Sequence, residues 1–100
     1  MIKVAICDDE ISVLKELRKL CYQYRTERNL NMQCVAFNSP LELMAELEKG
    51  INYDVIFLDI IMPGQNGINT AKEIRKQDNN VKIIFLTSSD EFAVDRKSVV

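Results

Sequence analysis

The sequence contains no histidine, and this absence removes several kinds of site at once. Histidine is the usual general base, a member of the common catalytic triads and the most frequent zinc ligand. Positive charge is not in excess either, because 13 Lys and Arg face 15 Asp and Glu, for a net charge of −2. Binding to nucleic acid phosphates or to anionic membranes therefore has no electrostatic support. Any chemistry must use carboxylates, hydroxyls and a metal, and any DNA binding would need another domain.

Cysteine is scarce and widely spaced. Cys7, Cys21 and Cys34 are an odd number with no Cys-x-x-Cys pair, which argues against a disulfide framework and against a thiolate zinc site. They are expected to be buried thiols in a reducing compartment. The N-terminal stretch MIKVAICDDE has only a few apolar residues before its acids, so it is neither a signal peptide nor a membrane span. We expect a cytoplasmic protein without a membrane partner.

The composition fits one globular domain, since 47% of the 100 residues are apolar and 28% are charged. Four short β-rich runs alternate with helical patterns, which predicts βαβ units, a parallel sheet and helices on both faces. The predicted fold class is α/β with a doubly wound parallel sheet. The predicted strands are IKVAIC (Ile2 to Cys7), MQCVAF (Met32 to Phe37), Tyr53 to Leu58, and VKIIFL (Val81 to Leu86).

The three intervals between these strands each predict a helix. The second helix has a clear start, with Ser39 as N-cap, Pro40 at the first position and Glu42 completing a capping box, and Gly50 closes it. The third is expected to end near Asp78, and a fourth would begin at Asp90. The apolar positions of the first helix are Leu14, Leu17, Cys21 and Tyr24, and those of the third are Ile68, Ala71 and Ile74.

The stretch VIFLDIIMPGQNG places Asp59 inside an otherwise apolar run. A strand that is apolar at every position is expected to be covered on both faces, so this carboxylate lies at the end of a buried segment. An unpaired charge is costly there. Something must compensate the charge of Asp59.

Polar side chains follow three of the predicted strands. Asp8 and Asp9 follow the first, Asp59 follows the third, and Thr87 and Ser88 follow the fourth. Ligands bind at the carboxyl ends of the strands in an open parallel sheet, so these groups are expected to meet at one edge. Gathered carboxylates repel one another unless a cation is present, and hard oxygen ligands suit Mg²⁺. An oxygen of Asp59 left free by the metal would then be able to attack phosphorus and form an aspartyl phosphate.

Each of these features also has a simple structural explanation. Acids such as Asp8 and Asp9 suit a helix N-terminus, an aspartate before a Pro-Gly sequence often forms a turn, and Thr87 with its neighbours is typical of a helix cap. Their joint arrival at one sheet edge makes the functional explanation the better one. Lys72, Arg75 and Lys76, by contrast, are better explained as a solvated helix face than as a nucleic-acid patch.

The residues resemble a known family, the receiver domain of two-component response regulators. The resemblance rests on ICDDE (6–10), LDIIMPGQNGI (58–68) and IIFLTSS (83–89), and it extends from Met1 to about Val94. It implies a flavodoxin-like or CheY-like three-layer α/β/α fold. These motifs are most similar to those of receivers that precede LytTR-type DNA-binding domains.

The resemblance implies roles for the residues that match the motifs. Asp59 would accept a phosphoryl group from the phosphohistidine of a sensor histidine kinase. Asp9 would bind Mg²⁺ directly, Asp8 would do so directly or through water, and the backbone carbonyl of Ile61 would supply a further ligand. The domain would not be an enzyme apart from its own Mg²⁺-dependent phosphorylation and dephosphorylation.

Further implied roles concern switching. Thr87 would be the hydroxyl that moves to bond the phosphoryl oxygens, and Pro63 with Gly67 would shape the loop beside the site. Phosphorylation would bias a bistable surface and so switch an output domain, which would make the whole protein a transcriptional regulator that binds DNA through that domain.

One departure from the family pattern stands beside these agreements. The pattern continues into a fifth strand with a lysine that pairs with the phosphoryl group, a switch aromatic and a fifth helix, and Lys97 comes too early to be that lysine. Residues 1–100 are therefore expected to be a receiver domain truncated before the fifth strand. The fourth predicted strand would then expose an apolar edge, which a second copy of the chain would cover in a homodimer.

Two other functions remain as alternatives. A truncated receiver would serve as a phosphorylation-independent dimerisation or interaction module. A Mg²⁺-dependent phosphohydrolase would use Asp59 covalently, but a carboxylate two residues later would be its natural acid and base, and Ile61 occupies that position.

Overall fold

The computed structural model of the chain describes residues 1–62 and 65–86, with residues 61, 62 and 65 described by their backbone alone. Strands and helices alternate along it, as the sequence predicts. In chain order the elements are β1 (Ile2–Cys7), α1 (Ile11–Arg28), β2 (Met32–Phe37), α2 (Pro40–Glu48), β3 (Val55–Asp59), β4 (Ile61–Met62), β5 (Gln65–Asn66), α3 (Gly67–Gln77) and β6 (Lys82–Leu86).

The four longer strands form one parallel sheet in the order β2-β1-β3-β6. Val4 of β1 pairs with Cys34 on one side and with Val55 on the other, and Leu86 of β6 pairs with Asp59. Strand order reverses after β2, because the chain returns past β1 to place β3 on its far side. The prediction of an α/β fold with a doubly wound parallel sheet is confirmed.

Helices cover both faces of the sheet, but unequally. The larger core cluster joins the sheet to α2 and α3 through residues such as Ile56, Leu43 and Ile74, none of which is exposed to solvent. The smaller cluster lies under α1 and has only Val4, Ile6 and Leu14 fully buried. The fold therefore has three layers, with most of its buried apolar surface on the side of α2 and α3.

Local sequence explains both ends of α2 and the end of α1. The Ser39 hydroxyl accepts a hydrogen bond of 3.2 Å from the Leu41 backbone N–H, and Pro40 occupies the first turn. Gly50 follows α2 with a φ of 90°, a left-handed conformation that glycine adopts without a steric penalty. Asn29 ends α1 in the same way with a φ of 51°. The predicted N-cap at Ser39, the proline in the first turn and the end at Gly50 are confirmed. The capping box with Glu42 is not, since Ser39 accepts from the Leu41 N–H.

Several sequence predictions about individual positions are wrong. Ile68 is 42% exposed, and the inner side of α3 is formed by Ala71 and Ile74 together with Gly67 and Thr70. In α1 the helix turns Tyr24 towards solvent, leaving it 48% exposed. The buried positions are set by the angle at which each helix crosses the sheet, which a short apolar pattern does not fix.

The third strand and the cysteines also differ from expectation. The strand begins at Val55, not at Tyr53, although the Tyr53 ring is buried and packs edge-on against Phe37 with centroids 6.1 Å apart. Burial alternates along β3, so the face towards α1 is only half covered among the described residues. Cys7 is buried as expected, whereas Cys21 and Cys34 are half-buried.

Some predicted features lie outside the described residues. These are Pro63, Thr87, Ser88, the helix expected from Asp90, and Lys97. Within the part of the chain that the structure describes, β6 pairs with one strand only, β3. The same part contains no helix that is long and apolar enough to cross a membrane.

Candidate functional site

The carboxyl end of β1 carries two of the acids singled out in the sequence. Asp8 follows the strand and continues its ladder, since its N–H donates to the Phe37 carbonyl at 3.1 Å. Its side-chain Oδ1 accepts a 2.9 Å hydrogen bond from the Glu10 N–H, just before α1 starts. The Asp8 side chain is thereby held in place and is only 5% exposed, whereas Asp9 is exposed.

The third acid, Asp59, is the last residue of β3, a central strand. Its Cα is in register with that of Leu86 on β6, and the next residue, Ile60, donates its N–H to the Leu86 carbonyl at 3.0 Å. The side chain of Asp59 is half-buried. The position of this carboxylate is therefore fixed by pairing on both sides of β3.

The fold brings the three carboxylates together. Asp8, Asp9 and Asp59 each offer an oxygen, and these oxygens all lie within 4.8 Å of one another. They converge because β1 and β3 are neighbouring parallel strands that end at the same edge of the sheet. A set of three carboxylate oxygens in this arrangement has the donor chemistry that Mg²⁺ prefers.

Burial and the acidic cluster raise the pKa values of two groups at this edge of the sheet. Burial raises the pKa of Asp8, repulsion from Asp9 adds to the rise, and the hydrogen bond from the Glu10 N–H partly opposes it. Burial, followed by the charges of Asp8 and Asp59, raises the pKa of the neighbouring Cys7 thiol to about 12. Burial is the larger cause of both shifts, and the neighbouring carboxylates add to it, so a bound cation would relieve the repulsion at this edge.

The backbone beside Asp59 is packed closely by the start of α3. The Gly67 N–H donates to the Ile60 carbonyl at 2.9 Å. A Cβ on Gly67 would lie 2.6 Å from the Ile60 Cα and would also meet the Asp59 carbonyl oxygen, a collision with backbone that cannot move aside easily. Glycine is therefore required for α3 to start here.

The contribution of Asn66 to this arrangement was not predicted from the sequence. Its side chain accepts a 2.9 Å hydrogen bond from the Ile68 N–H and so caps α3, while its backbone belongs to β5. The signal was present, because asparagine before glycine at the start of a helical pattern is a typical N-cap. The pairing of Ile61 with Asn66 in a two-residue antiparallel ladder was not predicted.

Two predicted site groups stay predictions. The backbone of Ile61 begins β4 two residues after Asp59, which places it near the cluster in sequence. Thr87 lies outside the described residues, but it directly follows Leu86, the residue in register with Asp59.

Residues 4–99 match the sequence profile of the response regulator receiver domain. The chain belongs to this family. The expected family, and with it the CheY-like fold class, is confirmed. Members of the family are phosphoacceptors that work with sensor kinases and with output domains such as DNA-binding domains.

The receiver domain has relatives among regulators called LytT. It is 37% identical over 95 residues to the sensory transduction protein LytT of Oceanobacillus iheyensis. This match covers 93% of the present chain and 37% of that protein. It is 30% identical over 94 residues to LytT of Bacillus subtilis (strain 168), covering 94% of this chain and 37% of the relative. The chain thus spans little more than a third of the length of these relatives.

Solved receiver structures have the same fold. The response regulator TrrA from Thermotoga maritima, in complex with Mg²⁺ and BeF, superposes with a TM-score of 0.77 at 28% identity, covering 95% of this chain and 76% of that one. The chemotaxis protein CheY4 of Vibrio cholerae gives a TM-score of 0.74 at 25% identity, with 95% and 77% covered.

Proposed function

We propose that this receiver domain accepts a phosphoryl group on Asp59 from the phosphohistidine of a sensor histidine kinase. The observation that carries the proposal is the convergence of the Asp8, Asp9 and Asp59 oxygens within 4.8 Å at the carboxyl end of the sheet. Residues 1–100 act in it as one domain. The domain is a phosphoacceptor and not an enzyme acting on other substrates.

The donor set fits Mg²⁺, because it consists of carboxylate oxygens, and because burial together with the charge of Asp9 raises the pKa of Asp8. The residues that would hold the ion are Asp8, Asp9, Asp59 and Ile61, the last through its backbone carbonyl. When bound, Mg²⁺ supplies neutralisation of the charge on the transferred phosphoryl group.

The chain's own residues perform the transfer. A carboxylate oxygen of Asp59 attacks the phosphorus, an O–P bond forms, and the N–P bond to the kinase imidazole breaks. The Thr87 hydroxyl donates a hydrogen bond to the phosphoryl oxygens. Later attack by water on the phosphorus returns Asp59 to its free form.

The phosphorylated domain switches an output domain elsewhere in a longer regulator. Support comes from the LytT relatives, whose length is covered only to 37% by this chain. We propose a cytoplasmic transcriptional regulator of this type, in which DNA is bound by the output domain alone.

The proposal is tested by intact mass after incubation with Mg²⁺ and acetyl phosphate. One adduct of about 80 Da, the mass of a phosphoryl group, is expected for the wild type. Asp59→Asn should show none. Asp54→Asn is the matched control, since Asp54 is an exposed residue directly before the other end of β3, and it should keep the adduct. An adduct that persists in Asp59→Asn would disprove the assignment.

A second candidate function is a phosphorylation-independent interaction module. It is favoured by the edge of β6, which pairs with one strand only among the described residues and carries apolar side chains. A homodimer through this edge would cover it. Light scattering on the sample used for intact mass separates the two functions. A stable dimer without an adduct, unchanged in Asp59→Asn, would favour the module.

A further inference from the structure

Two of the three thiols meet in a groove between α1 and β2. Cys21 on α1 and Cys34 on β2 both line this groove, which has a volume of about 410 Å³, and both are half-buried. They also pack against the same core cluster beneath α1. Burial, and after it the charge and hydrogen bonding of the Cys21 thiol, raises the pKa of Cys34 to about 12. The two thiols therefore line one groove, pack against one cluster and interact electrostatically.

The third thiol is kept apart from this pair. Cys7 belongs to the larger cluster on the opposite face of the sheet and is fully buried. Adjacent residues of a strand point to opposite faces of the sheet. Ile6 packs beneath α1, so the next residue, Cys7, points to the other face. Within the folded chain only Cys21 and Cys34 can pair.

Contacts of Arg25 join α1 to β2 beside the groove. Arg25 donates from Nη1 to the Met32 carbonyl at 3.2 Å, and its guanidinium lies 4.8 Å from the centre of the Tyr22 ring. The hydrogen bond ties the last turn of α1 to the first residue of β2, and the ring contact holds the Arg25 side chain against α1. The sulfur atoms are thus held near each other by contacts that do not involve them.

Positive charge surrounds the thiols. Lys15, Arg18 and Lys19 line the same groove together with Arg25, and the charge of Arg18 acts to lower the pKa of Cys34 against the effect of burial. Partly exposed thiols beside basic residues are typical of thiols that react with oxidants, although burial outweighs the basic residues for Cys34 and keeps its pKa raised to about 12. Structural thiols such as Cys7 lack this setting.

We propose that Cys21 and Cys34 form a reversible redox pair, which a hydroperoxide converts into an intramolecular disulfide linking α1 to β2. In the first step the Cys21 sulfur attacks the peroxide, an S–O bond forms, the O–O bond breaks, and an alcohol or water leaves with the thiol proton. In the second step the Cys34 sulfur attacks the sulfenic acid, the S–S bond forms, the S–O bond breaks, and water leaves. A thiol reductant reverses the change.

The disulfide fastens the middle of α1 to β2. Cys21 lies three helical turns beyond Ile11, so the link does not involve the acidic cluster that precedes α1. The inference is therefore independent of phosphoryl transfer to Asp59. The disulfide is predicted to change the surface formed by α1 and its cationic groove, so that this surface differs between oxidised and reduced cells.

The test is treatment of the full chain with hydrogen peroxide, followed by intact mass and peptide mapping without reductant. A loss of about 2 Da, the mass of two hydrogens, is expected and should be reversed by dithiothreitol. Trypsin should then release the fragment Leu20 to Arg25 joined to the fragment Asn29 to Lys49, which identifies the pair in the wild-type protein itself.

Three variants complete the experiment. Cys21→Ser and Cys34→Ser should each abolish the 2 Da loss, and Cys7→Ala should keep it. A chain that retains three free thiols, gains oxygen without a crosslink, forms disulfides only between two chains, or links Cys7 would overturn the proposal. Because the wild-type peptide map alone decides between these outcomes, the test does not depend on whether every variant folds.

Discussion

At the scale of single residues, the acidic cluster shows how burial changes the ionisation of a side chain. Asp8 and Asp9 are adjacent in sequence, yet Asp8 is buried and hydrogen-bonded to the Glu10 N–H while Asp9 is exposed. Burial raises the pKa of Asp8, which means that its ionised form is less stable in the folded protein than in the unfolded chain. The ionised Asp8 side chain therefore lowers the stability of the folded protein until a cation is bound.

Asp8→Asn tests this cost. Because the folded pKa of Asp8 is raised, its contribution to stability is fully present below the ordinary aspartate pKa and is lost as the pH rises through the folded value. Asparagine keeps an oxygen for the Glu10 N–H but carries no charge. In a chelator at pH 7 we expect the variant to be more stable than the wild type, and to lose the stabilisation that Mg²⁺ gives the wild type. Thermal unfolding with and without Mg²⁺ measures both effects.

Asp78→Asn is the matched control for this substitution. Asp78 also accepts a hydrogen bond from the backbone N–H two residues later, that of Asn80 at 2.8 Å, but it lies outside the cluster. It should leave the response to Mg²⁺ unchanged. Equal effects of the two substitutions in chelator would show that Asp8 carries no special electrostatic cost.

Gly67→Ala tests the close contact between α3 and the backbone beside Asp59. The added Cβ would collide with backbone atoms of Asp59 and Ile60, so α3 must shift. We expect a loss of about 2 to 3 kcal/mol in the free energy of unfolding, at the upper end of overpacking costs. Urea unfolding measures it. Asn69→Ala, at an exposed position of the same helix, should change stability by less than about 0.5 kcal/mol.

At the scale of elements, local hydrogen bonds set where a helix begins and ends, and their contribution to stability can be measured apart from that of core packing. The α2 helix shows both ends clearly. Ser39 caps its first turn, and after it the N–H of Gly50 bonds the Leu47 carbonyl while the N–H of Ile51 bonds the Glu46 carbonyl. Both hydrogen bonds together form the Schellman motif, which satisfies carbonyls that the helix leaves without partners.

Ser39→Ala should therefore weaken α2 without touching the core. Loss of an N-cap costs about 1 kcal/mol, and we expect that loss in the free energy of unfolding. Ser12→Ala, at an exposed position of α1, is the control and should have no comparable effect. If both serines proved equal in urea unfolding, the hydrogen bond from Leu41 to Ser39 would contribute nothing measurable.

The elements also show what the sequence can and cannot reveal. The ends of β1 and β3 were predictable, because an apolar run followed by acids marks where a buried strand stops, and parallel strands share an edge. The inner side of α3 was not, since Ile68 is exposed and Gly67 and Thr70 face inward. The meeting of Cys21 with Cys34 was equally hidden, because it depends on the rotation of α1 over the β1–β2 pair.

At the scale of the whole molecule, the two faces of the sheet differ. On the side of α1 a groove of about 850 Å³ runs past half-buried Val55, Phe57 and Ile84, whereas the opposite face is closed by α2 and α3. Each face nevertheless contains one cysteine with a strongly raised pKa, Cys7 on the closed side and Cys34 on the side of α1. Ionisation of either thiol is therefore coupled to global unfolding.

This coupling predicts a loss of stability in alkali. Both folded pKa values are about 12 against an ordinary value of 9.0, so the thiols stay neutral in the folded protein while the unfolded chain ionises them. Stability is retained below pH 9 and is then lost by about 1.4 kcal/mol per pH unit for each thiol. Urea unfolding with reductant at about pH 8 and pH 10 measures the slope.

The double variant Cys7→Ala, Cys34→Ala isolates the contribution of the thiols. It is expected to lose much less stability between these pH values than the wild type, because the remaining titrating groups are common to both proteins. Parallel pH profiles for the two proteins would contradict the prediction.

The strand order has a consequence for how the chain folds. The N-terminal strand β1 lies in the interior of the sheet, between β2 and β3, so it leaves the ribosome first and must wait for a partner on each side. The contact of Lys3 with Asp54 spans 51 residues, and contacts so distant in sequence form slowly. Docking of β3 on β1 is thus the expected rate-limiting step. Since Asp8, Asp9 and Asp59 come from these two strands, a nascent chain gains its acidic cluster only at the moment when it commits to the native fold.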